Sequence, residues 1–210
     1  MKFKITLKIN RKFGDLLPFN YQYEQSAVIY RILAQADTQY SSWLHENGYL
    51  LHERKRFKLF CYSPFIFEKV KPLPEAGCLN IIGEKVVWYI SFIPEKSTFE
   101  FIQGIFAHQS FTIGNKEHRV AFDVIGVEAM SMPQLTEQMA FQAMSPICVK
   151  LHEENKTQYL SPDNPMFADG ILKGLKARYE SIHGQPFDMN DKEFSFELTD
   201  NKVKSKLITI

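Results

Sequence analysis

Along this chain, apolar residues recur either at every second position, as in strands, or about every 3.6 positions, as in helices. The order of these two kinds of segment constrains the fold more than any other feature. Near the N-terminus, apolar residues alternate with lysine and threonine, which predicts a strand buried on one face, carrying Phe3, Ile5, Leu7 and Ile9. From about Glu24 the spacing becomes helical. A second, short helix is expected from Asp37 to Gly48, because glycine is favoured just after a helix C-terminus.

The following segments return to strand patterns and then to a helix. Ser97 and Glu100 form a capping box, which predicts a helix that runs to about His108. The predicted strands around this helix are FKLFCYSPFIF (57–67), KVVWYISFI (85–93) and HRVAFDVIGVEAM (118–130), the last being one strand or a pair. LLPFNYQY (16–23) is expected to be a connecting turn. The order β-α-β-β-α-β is that of a ferredoxin-like domain.

The order β-α-β-β begins again near residue 138. The helix is expected to start after Asn164, with Pro165 in its first turn, and to close at Gly184. The predicted strands of this part are AFQAMSPICVKL (140–151), TQYL (157–160), EFSFEL (193–198) and KSKLITI (204–210). The sequence therefore predicts an α+β protein with two domains, 1–130 and 138–210, the second incomplete at its C-terminus.

Composition narrows the functional classes only slightly. The 210 residues carry a net charge of +1, so no overall basic surplus indicates a nucleic-acid partner. The three cysteines, Cys61, Cys78 and Cys148, are too widely spaced for a zinc pattern and suit a reducing compartment. The N-terminus alternates, unlike a signal peptide, and no apolar run has the ~20 residues of a membrane helix. We therefore expect a cytoplasmic protein that has no membrane contact.

Three segments, in this order, resemble the Cas6 family of CRISPR-associated endoribonucleases, in the RAMP superfamily. They are LPFNYQYEQSAVIYRIL (17–33), LHERKRFKLFCYSPF (51–65, with WLHE just before it at 43–46) and MSPICV (144–149, followed by YLSP at 159–162). No single motif is decisive, but the ordered set is specific. The resemblance implies two ferredoxin-like domains in tandem.

The resemblance also implies an activity. Family members cut precursor CRISPR RNA within its repeats without a metal or another cofactor. The 2′-hydroxyl attacks the adjacent phosphate and leaves a 2′,3′-cyclic phosphate and a 5′-hydroxyl. Many members use a tyrosine, a histidine and a lysine, which correspond here to Tyr30, His45 and Lys58.

The chemistry of such a reaction suits these residue types. A base must take the proton of the 2′-hydroxyl, an acid must protonate the leaving 5′-oxygen, and a cation must offset charge on the phosphorus. Histidine titrates near neutral pH, tyrosine donates hydrogen bonds, and lysine is a cation. The sequence leaves the roles of base and acid open between His45 and Tyr30.

Taken singly, each candidate has a plainer interpretation. Tyr30 lies in an apolar helix, where a tyrosine is typical of a core boundary. His45 alone resembles a surface histidine near a helix end, and Lys58 belongs to a charged segment of the kind that usually faces solvent. The match at all three positions favours the catalytic interpretation. His52 lies between His45 and Lys58 and is the alternative if the alignment is shifted.

RNA-binding candidates come from two basic groups. Arg54, Lys55 and Arg56 form a compact cluster suited to phosphates. Lys2 and Lys4 lie on the polar face of the first strand. For each lysine, a role in solubility alone is equally compatible with the sequence.

Two further functions and several partners stay open. One rival is a RAMP-type subunit that binds repeat RNA without cutting it, and another is a ferredoxin-like module for a small molecule or a protein. Expected partners are the repeat RNA and, left open, other CRISPR effector subunits and a second copy in a homodimer. Family members carry a glycine-rich loop near the C-terminus, whereas the last glycine here is Gly184. We therefore expect the loop to be lacking, which puts RNA affinity in question.

Overall fold

The alternating N-terminal segment forms a strand in the middle of a sheet in the computed structural model, which describes residues 1–51, 55–153 and 156–198. In chain order the strands and helices are β1 (Lys2–Asn10), β2 (Leu16–Pro18), α1 (Gln22–Ala36), α2 (Thr38–Glu46), β3 (Tyr49–Leu51), β4 (Lys55–Phe57), β5 (Phe60–Tyr62), β6 (Ile66–Phe67), β7 (Val70–Leu73), β8 (Cys78–Ile81), β9 (Lys85–Phe92), α3 (Glu95–Ala107), β10 (Ser110–Gly114), β11 (Arg119–Met130), β12 (Val149–Glu153), β13 (Lys156–Leu160) and α4 (Met166–His183).

The described chain divides into two units. The first consists of residues 1–46 and 59–144, and the second of residues 47–58 and 145–198. The hairpin at 47–58, which the sequence placed inside the domain 1–130, thus groups with the C-terminal segment. The proposed domains, 1–130 and 138–210, remain a prediction.

The first unit has the ferredoxin-like strand order. Its main antiparallel sheet runs β10-β11-β1-β9-β5, and β6 also pairs with β9. If β5 and β6 are taken as one strand interrupted at Pro64, the four core strands lie in the order 4-1-3-2, and β10 adds an edge. The β-α-β-β-α-β order predicted from the sequence is therefore present here. A smaller sheet, β2-β8-β7, belongs to the same unit.

The core of the first unit lies between the main sheet and the helices α1 and α3. The alternating apolar residues of β1 are all buried, and Trp88 of β9 is fully buried beneath the helices. Phe65 packs edge-on against Trp88 and Phe122, with ring centroids 5.6 and 5.3 Å away. Tyr21, at the N-terminus of α1, stacks on Phe65 with ring centroids 5.3 Å apart, which joins the helix that carries Tyr30 to this aromatic core.

Two local predictions in this unit were wrong. The helix α3 begins at Glu95, so Ser97 lies inside it and does not cap it. Ser97 is fully buried and shares a hydrogen bond with the Tyr40 hydroxyl of α2, a tertiary contact that overrides the capping signal. Leu16–Pro18, expected to be part of a turn, pairs with β8 because that strand offers free backbone partners.

The second unit combines two hairpins with one long helix. β3 pairs with β4, β12 pairs with β13, and Phe167 of α4 packs into a small core with Val149 and Leu160. The side-chain oxygen of Asn164 accepts a hydrogen bond from the Met166 amide, and Gly184 ends the helix with a φ of +68°, as the sequence predicted.

The strands predicted in this unit were only partly correct. The TQYL strand is confirmed, but residues 140–148 form no strand, because pairing with β13 begins at Val149. A short 3-10 turn covers Asp191–Glu193, and no strand follows it up to residue 198, the end of the described chain. KSKLITI, the expected partner of EFSFEL, lies outside the described residues.

Tyr21 provides a test of this packing. It is 4% exposed, stacks on Phe65 and accepts a hydrogen bond from the Phe65 amide at 3.0 Å, and burial raises its pKa from 10.0 to about 12. Because the pKa of Tyr21 is higher in the folded protein than in the unfolded chain, burial of its neutral hydroxyl makes a pH-dependent contribution to stability. This contribution is fully present below pH 10 and is lost as the pH rises through about 12.

Tyr21→Phe is expected to lower the free energy of unfolding at pH 7 by about 1–2 kcal/mol, because the buried Phe65 amide loses its acceptor. Between pH 10 and 12, its stability is expected to fall less steeply than that of the wild type. Urea denaturation across this pH range measures both effects. Tyr23→Phe, at a position 83% exposed, is the control and should match the wild type.

Candidate functional site

Tyr30 lies at the border of the apolar face of α1, half-buried. Its ring meets the His45 ring edge-on, with centroids 5.0 Å apart and an interplanar angle of 82°. On another side it meets Phe60 of β5, with centroids 5.8 Å apart. Tyr30 and His45, which are fifteen positions apart in the sequence, are thus in direct contact in the first unit.

Two contacts hold the helix α2, which carries His45. The Asp37 carboxylate accepts a hydrogen bond from the Tyr40 amide at 2.8 Å, which satisfies a backbone group at the start of the helix. Ser41 donates to the backbone oxygen of Tyr30 at 2.8 Å and so joins α2 to α1 at the position of the tyrosine. His45 lies exposed in the last turn of α2.

The environment of Tyr30 keeps its hydroxyl protonated. Burial raises its pKa, and the neighbouring Tyr62 raises it further. Burial also raises the pKa of Tyr62, whose hydroxyl donates to the backbone oxygen of Gln22 at 3.0 Å. At neutral pH, Tyr30 is therefore suited to donate a hydrogen bond or a proton, and not to act as a tyrosinate base.

Lys58 follows the strand β4 in the second unit. Desolvation lowers its pKa, and the positive charge of Arg56 lowers it further. Lys58 and the Tyr30–His45 pair belong to different units, so their convergence in one site stays a prediction.

Gly48 shapes the hairpin that presents Lys58. Its φ is +66°, a conformation that L side chains rarely adopt. A Cβ at this position would lie 2.6 Å from the backbone oxygen of Phe57 and 3.2 Å from the Lys58 side chain. The glycine that the sequence predicts as a helix terminator is thus also needed for the close approach of the strand that leads to Lys58.

The RNA-binding candidates occupy different surroundings. The Lys2 ammonium lies 5.2 Å from the centre of the Tyr89 ring, and the Lys4 ammonium pairs with Glu128 at 3.0 Å. The Glu128 hydrogen bond and charge raise the pKa of Lys4. Because Glu128 already binds Lys4, a phosphate would have to compete for this cation.

The basic cluster of the hairpin is described only in part. Lys55 and Arg56 lie exposed on β4, whereas Arg54 and the alternative histidine, His52, lie outside the described residues. Arg178 of α4 stacks over Phe57 at 5.2 Å, which adds a guanidinium near the hairpin within the second unit. Their role in RNA binding stays a prediction.

Sequence reasoning missed the residues that surround the tyrosine and the histidine. Ser41, Phe60 and Tyr62 all contact Tyr30 or its helix, yet none was singled out. The alternation in FCY at 60–62 was a usable signal, because it puts Phe60 and Tyr62 on one face of the strand. Ser41 carried no such signal, because its bond to the Tyr30 backbone depends on how the two helices meet.

Within residues 1–51, 55–153 and 156–198, no group of three or more His, Cys, Asp or Glu side chains is placed to hold a metal ion. In the same part of the chain, the helices are too short or too polar to cross a bilayer.

Two family models match this chain. The model described as "CRISPR-associated protein Cas6, N-terminal" matches residues 16–122, and that described as "CRISPR associated protein Cas6, C-terminal" matches residues 130–210. A similar protein is the CRISPR-associated endoribonuclease Cas6 1 of Methanocaldococcus jannaschii, 27% identical over 93% of this chain and 71% of the relative. Another is the CRISPR-associated endoribonuclease Cas6 of Pyrococcus furiosus, 24% identical over 90% of this chain and 66% of the relative.

Solved structures share the fold. One, described as a Cas6-related gene product from Pyrococcus furiosus, has a TM-score of 0.72 at 24% identity and covers 90% of this chain and 73% of its own. A second, described as a RAMP protein binding different RNA substrates, has a TM-score of 0.70 at 25% identity and covers 89% and 73%. The predicted α+β fold class, with tandem ferredoxin-like domains, is confirmed by these matches.

Proposed function

This chain belongs to the Cas6 family of CRISPR-associated proteins, and from this premise we propose that it is an endoribonuclease that cuts precursor CRISPR RNA within its repeats. The observation that carries the proposal is the contact between Tyr30 and His45. A neutral tyrosine hydroxyl beside a solvent-exposed imidazole offers proton donors and acceptors for phosphodiester cleavage without a metal.

In the proposed reaction, the ribose 2′-oxygen attacks the adjacent phosphorus. A bond forms between this oxygen and phosphorus, and the bond from phosphorus to the 5′-oxygen of the next nucleotide breaks. The proton of the 2′-hydroxyl passes to a base, and a second proton passes to the leaving 5′-oxygen. The products are a 2′,3′-cyclic phosphate and a 5′-hydroxyl. The reaction uses no metal or cofactor and consumes no water.

The roles proposed for the three residues follow from their surroundings. His45 transfers a proton, because an exposed imidazole ring carries both a proton donor and a proton acceptor. Tyr30 donates a hydrogen bond from its hydroxyl, because its raised pKa keeps it neutral. Lys58 offsets the charge on the phosphate, with Arg56 and Lys55 of the same hairpin binding neighbouring phosphates. Lys2 and Lys4, together with Arg54, are proposed as further phosphate contacts.

A second candidate function is RNA binding without cleavage. It is favoured by the likeness to the RAMP structure described as binding different RNA substrates, at 25% identity. Such a subunit would hold repeat RNA, within a larger CRISPR complex or as a homodimer, and would need no proton transfer at His45. The two candidates differ in the fate of bound RNA.

The test is cleavage of the CRISPR repeat RNA of the host by the purified full chain in EDTA. We expect one cut, with the chemical ends given above, and no cut in an RNA that carries a 2′-deoxy sugar at that position, because the nucleophile is absent. RNA that binds but stays whole would support the binding subunit. A cut that requires added Mg²⁺, or that persists in the 2′-deoxy RNA, would exclude the proposed mechanism.

A further inference from the structure

A cavity of about 390 Å³ lies in the first unit beside α1, is lined by polar and apolar residues alike, and does not include His45 in its lining. It is bounded by α1, β10, β11 and the turn Arg11–Phe13 that follows β1. Its volume falls in the range of small-ligand pockets. Neither the family resemblance nor the proposed catalytic chemistry makes use of this cavity.

Arg31 contributes the cation of the cavity. It follows Tyr30 directly in α1, so its side chain leaves the helix about 100° from that of the tyrosine. One guanidinium nitrogen, Nη2, donates to the backbone oxygen of Thr112 at 2.7 Å, which holds the group against β10. A guanidinium has further N–H donors, which remain for a ligand.

Asp123 contributes the anion. It lies on β11, and its Oδ2 accepts a hydrogen bond from the Asn10 side chain at 3.3 Å. A carboxylate has two acceptor oxygens with several lone pairs, so this single bond leaves most of its capacity available. The cavity therefore presents fixed donors and fixed acceptors on its wall.

Two aromatic rings complete the lining. Phe111 of β10 forms part of the wall, and Phe13 is 48% exposed in the turn, with the Lys12 ammonium 5.5 Å from its ring centre. Phe111 is half-buried and packs against Trp88 and Phe122, so the exposed ring beside a cation is that of Phe13, and such rings are typical of surfaces on which RNA bases stack. The combination indicates a flat, polar ligand whose edge both donates and accepts hydrogen bonds.

Guanine matches this set better than the other bases. Its N1–H and N2–H₂ groups form a paired donor for a carboxylate, and its O6 and N7 form a paired acceptor for a guanidinium. Adenine would turn the acceptor N1 towards the carboxylate, and uracil has one N–H donor. Cytosine offers a single amino group. We propose that the cavity binds an unpaired guanine of the RNA, with Asp123 and Arg31 as the residues that read it.

This inference rests on the proposed function for the source of the guanine, because an RNA substrate supplies it. Recognition of the guanine by Arg31 and Asp123 does not depend on cleavage of the RNA. A bound guanine would fix the position of the strand along α1, the same helix that carries Tyr30. Arg31 and Asp123 would thus determine specificity without touching the reacting phosphate.

The first arm of the test uses free nucleotides and the full chain. GMP, IMP, AMP and CMP are titrated, and amide chemical shifts in β10 and β11 are followed by NMR. We expect GMP to bind with a Kd on the order of 1 mM, a value typical of a mononucleotide, and at least several-fold more tightly than the others. Equal shifts with all four nucleotides would indicate phosphate binding by the cations and would overturn guanine recognition.

The second arm uses repeat RNA made uncleavable by a 2′-deoxy sugar, so that failure of cleavage cannot mask the result. Each guanosine is replaced in turn by inosine, which lacks the N2 amino group. We expect one position to lose about tenfold or more in affinity, and Asp123→Asn to abolish that sensitivity. If GMP binds but no position is sensitive, the cavity takes a free nucleotide and the RNA assignment is wrong.

The matched control is Asp169→Asn, which removes the same charge from an exposed position on α4. It should bind GMP and RNA like the wild type after a correction for net charge. Thermal melting of Asp123→Asn shows whether it is folded. If it is not, the GMP titration of the wild type still decides the proposal.

Discussion

Alanine at position 45 is expected to slow cleavage of the repeat RNA by roughly 10²–10⁴-fold, because the variant lacks the imidazole that transfers a proton in the proposed mechanism. RNA affinity should change by less than about threefold, since His45 lies exposed on the surface. Single-turnover cleavage with enzyme in excess measures the rate, and filter binding of a 2′-deoxy RNA measures the affinity. The two readouts separate proton transfer from RNA binding.

His108→Ala is the matched control. His108 is also an exposed histidine at the C-terminal end of a helix, the C-cap of α3, and its backbone amide bond to Gly104 is retained in the alanine variant. It should cut at the wild-type rate. If His45→Ala also keeps that rate, His45 carries no proton, and His52 becomes the residue to replace next.

Tyr30→Phe adds a finer measurement to this experiment. The variant keeps the ring that packs against His45 and Phe60 and removes only the hydroxyl. A hydrogen bond to a charged phosphate is worth about 1.5–3 kcal/mol, so a loss of roughly 10–100-fold in rate is expected. A rate equal to that of the wild type would reduce Tyr30 to a packing role.

Parts of this fold were predictable because the signal was local. The strands β1 and β9 alternate strictly between core and surface, so sequence period and burial agree residue by residue. Gly184 ends α4 because a left-handed residue is needed there. In each case, one segment carried both the signal and its physical cause.

Other parts were not predictable because a distant partner decided them. Ser97 has the sequence signature of a cap, yet it lies buried against Tyr40, fifty-seven positions earlier in the chain. Residues 140–148 are apolar enough for a strand but have no pairing strand among the residues described. Hydrogen-bond partners, and not local preference, determined both outcomes.

The candidate site, too, was predictable only where local sequence determines the structure. Tyr30 and His45 were selected by resemblance, and neither the helical period nor the spacing predicts that their rings touch. That contact depends on the angle between α1 and α2, which the bond from Ser41 to the Tyr30 backbone helps to fix. The cavity beside Arg31 was missed for a similar reason, since its lining comes from four separate segments of the chain.

Gly104→Ala is expected to destabilise the first unit by about 2–4 kcal/mol, a fall in Tm of roughly 5–15 °C. Gly104 lies in α3 where this helix crosses α1, and a Cβ there would lie 1.8 Å from the backbone oxygen of Ile32. The helices would have to move apart, and the buried side chains Phe101 and Ile105 would lose contacts. Thermal and urea denaturation measure the loss.

Gly174→Ala, in α4, is the control because its Cβ would meet only the end of the Arg178 side chain, at 3.1 Å. There the better helix propensity of alanine should leave stability unchanged or raise it by up to about 1 kcal/mol.

Because the obstacle at Gly104 is a backbone oxygen, we expect that shortening the neighbouring Ile32 side chain does not relieve the clash. The double variant Gly104→Ala/Ile32→Ala, which removes the Ile32 Cγ2 that the added Cβ would meet at 3.2 Å, should therefore be no more stable than Gly104→Ala, and recovery in the double variant would locate the clash in the Ile32 side chain instead. That result would mean that the crossing of α1 and α3, which sets the position of Tyr30, can accommodate an alanine at position 104.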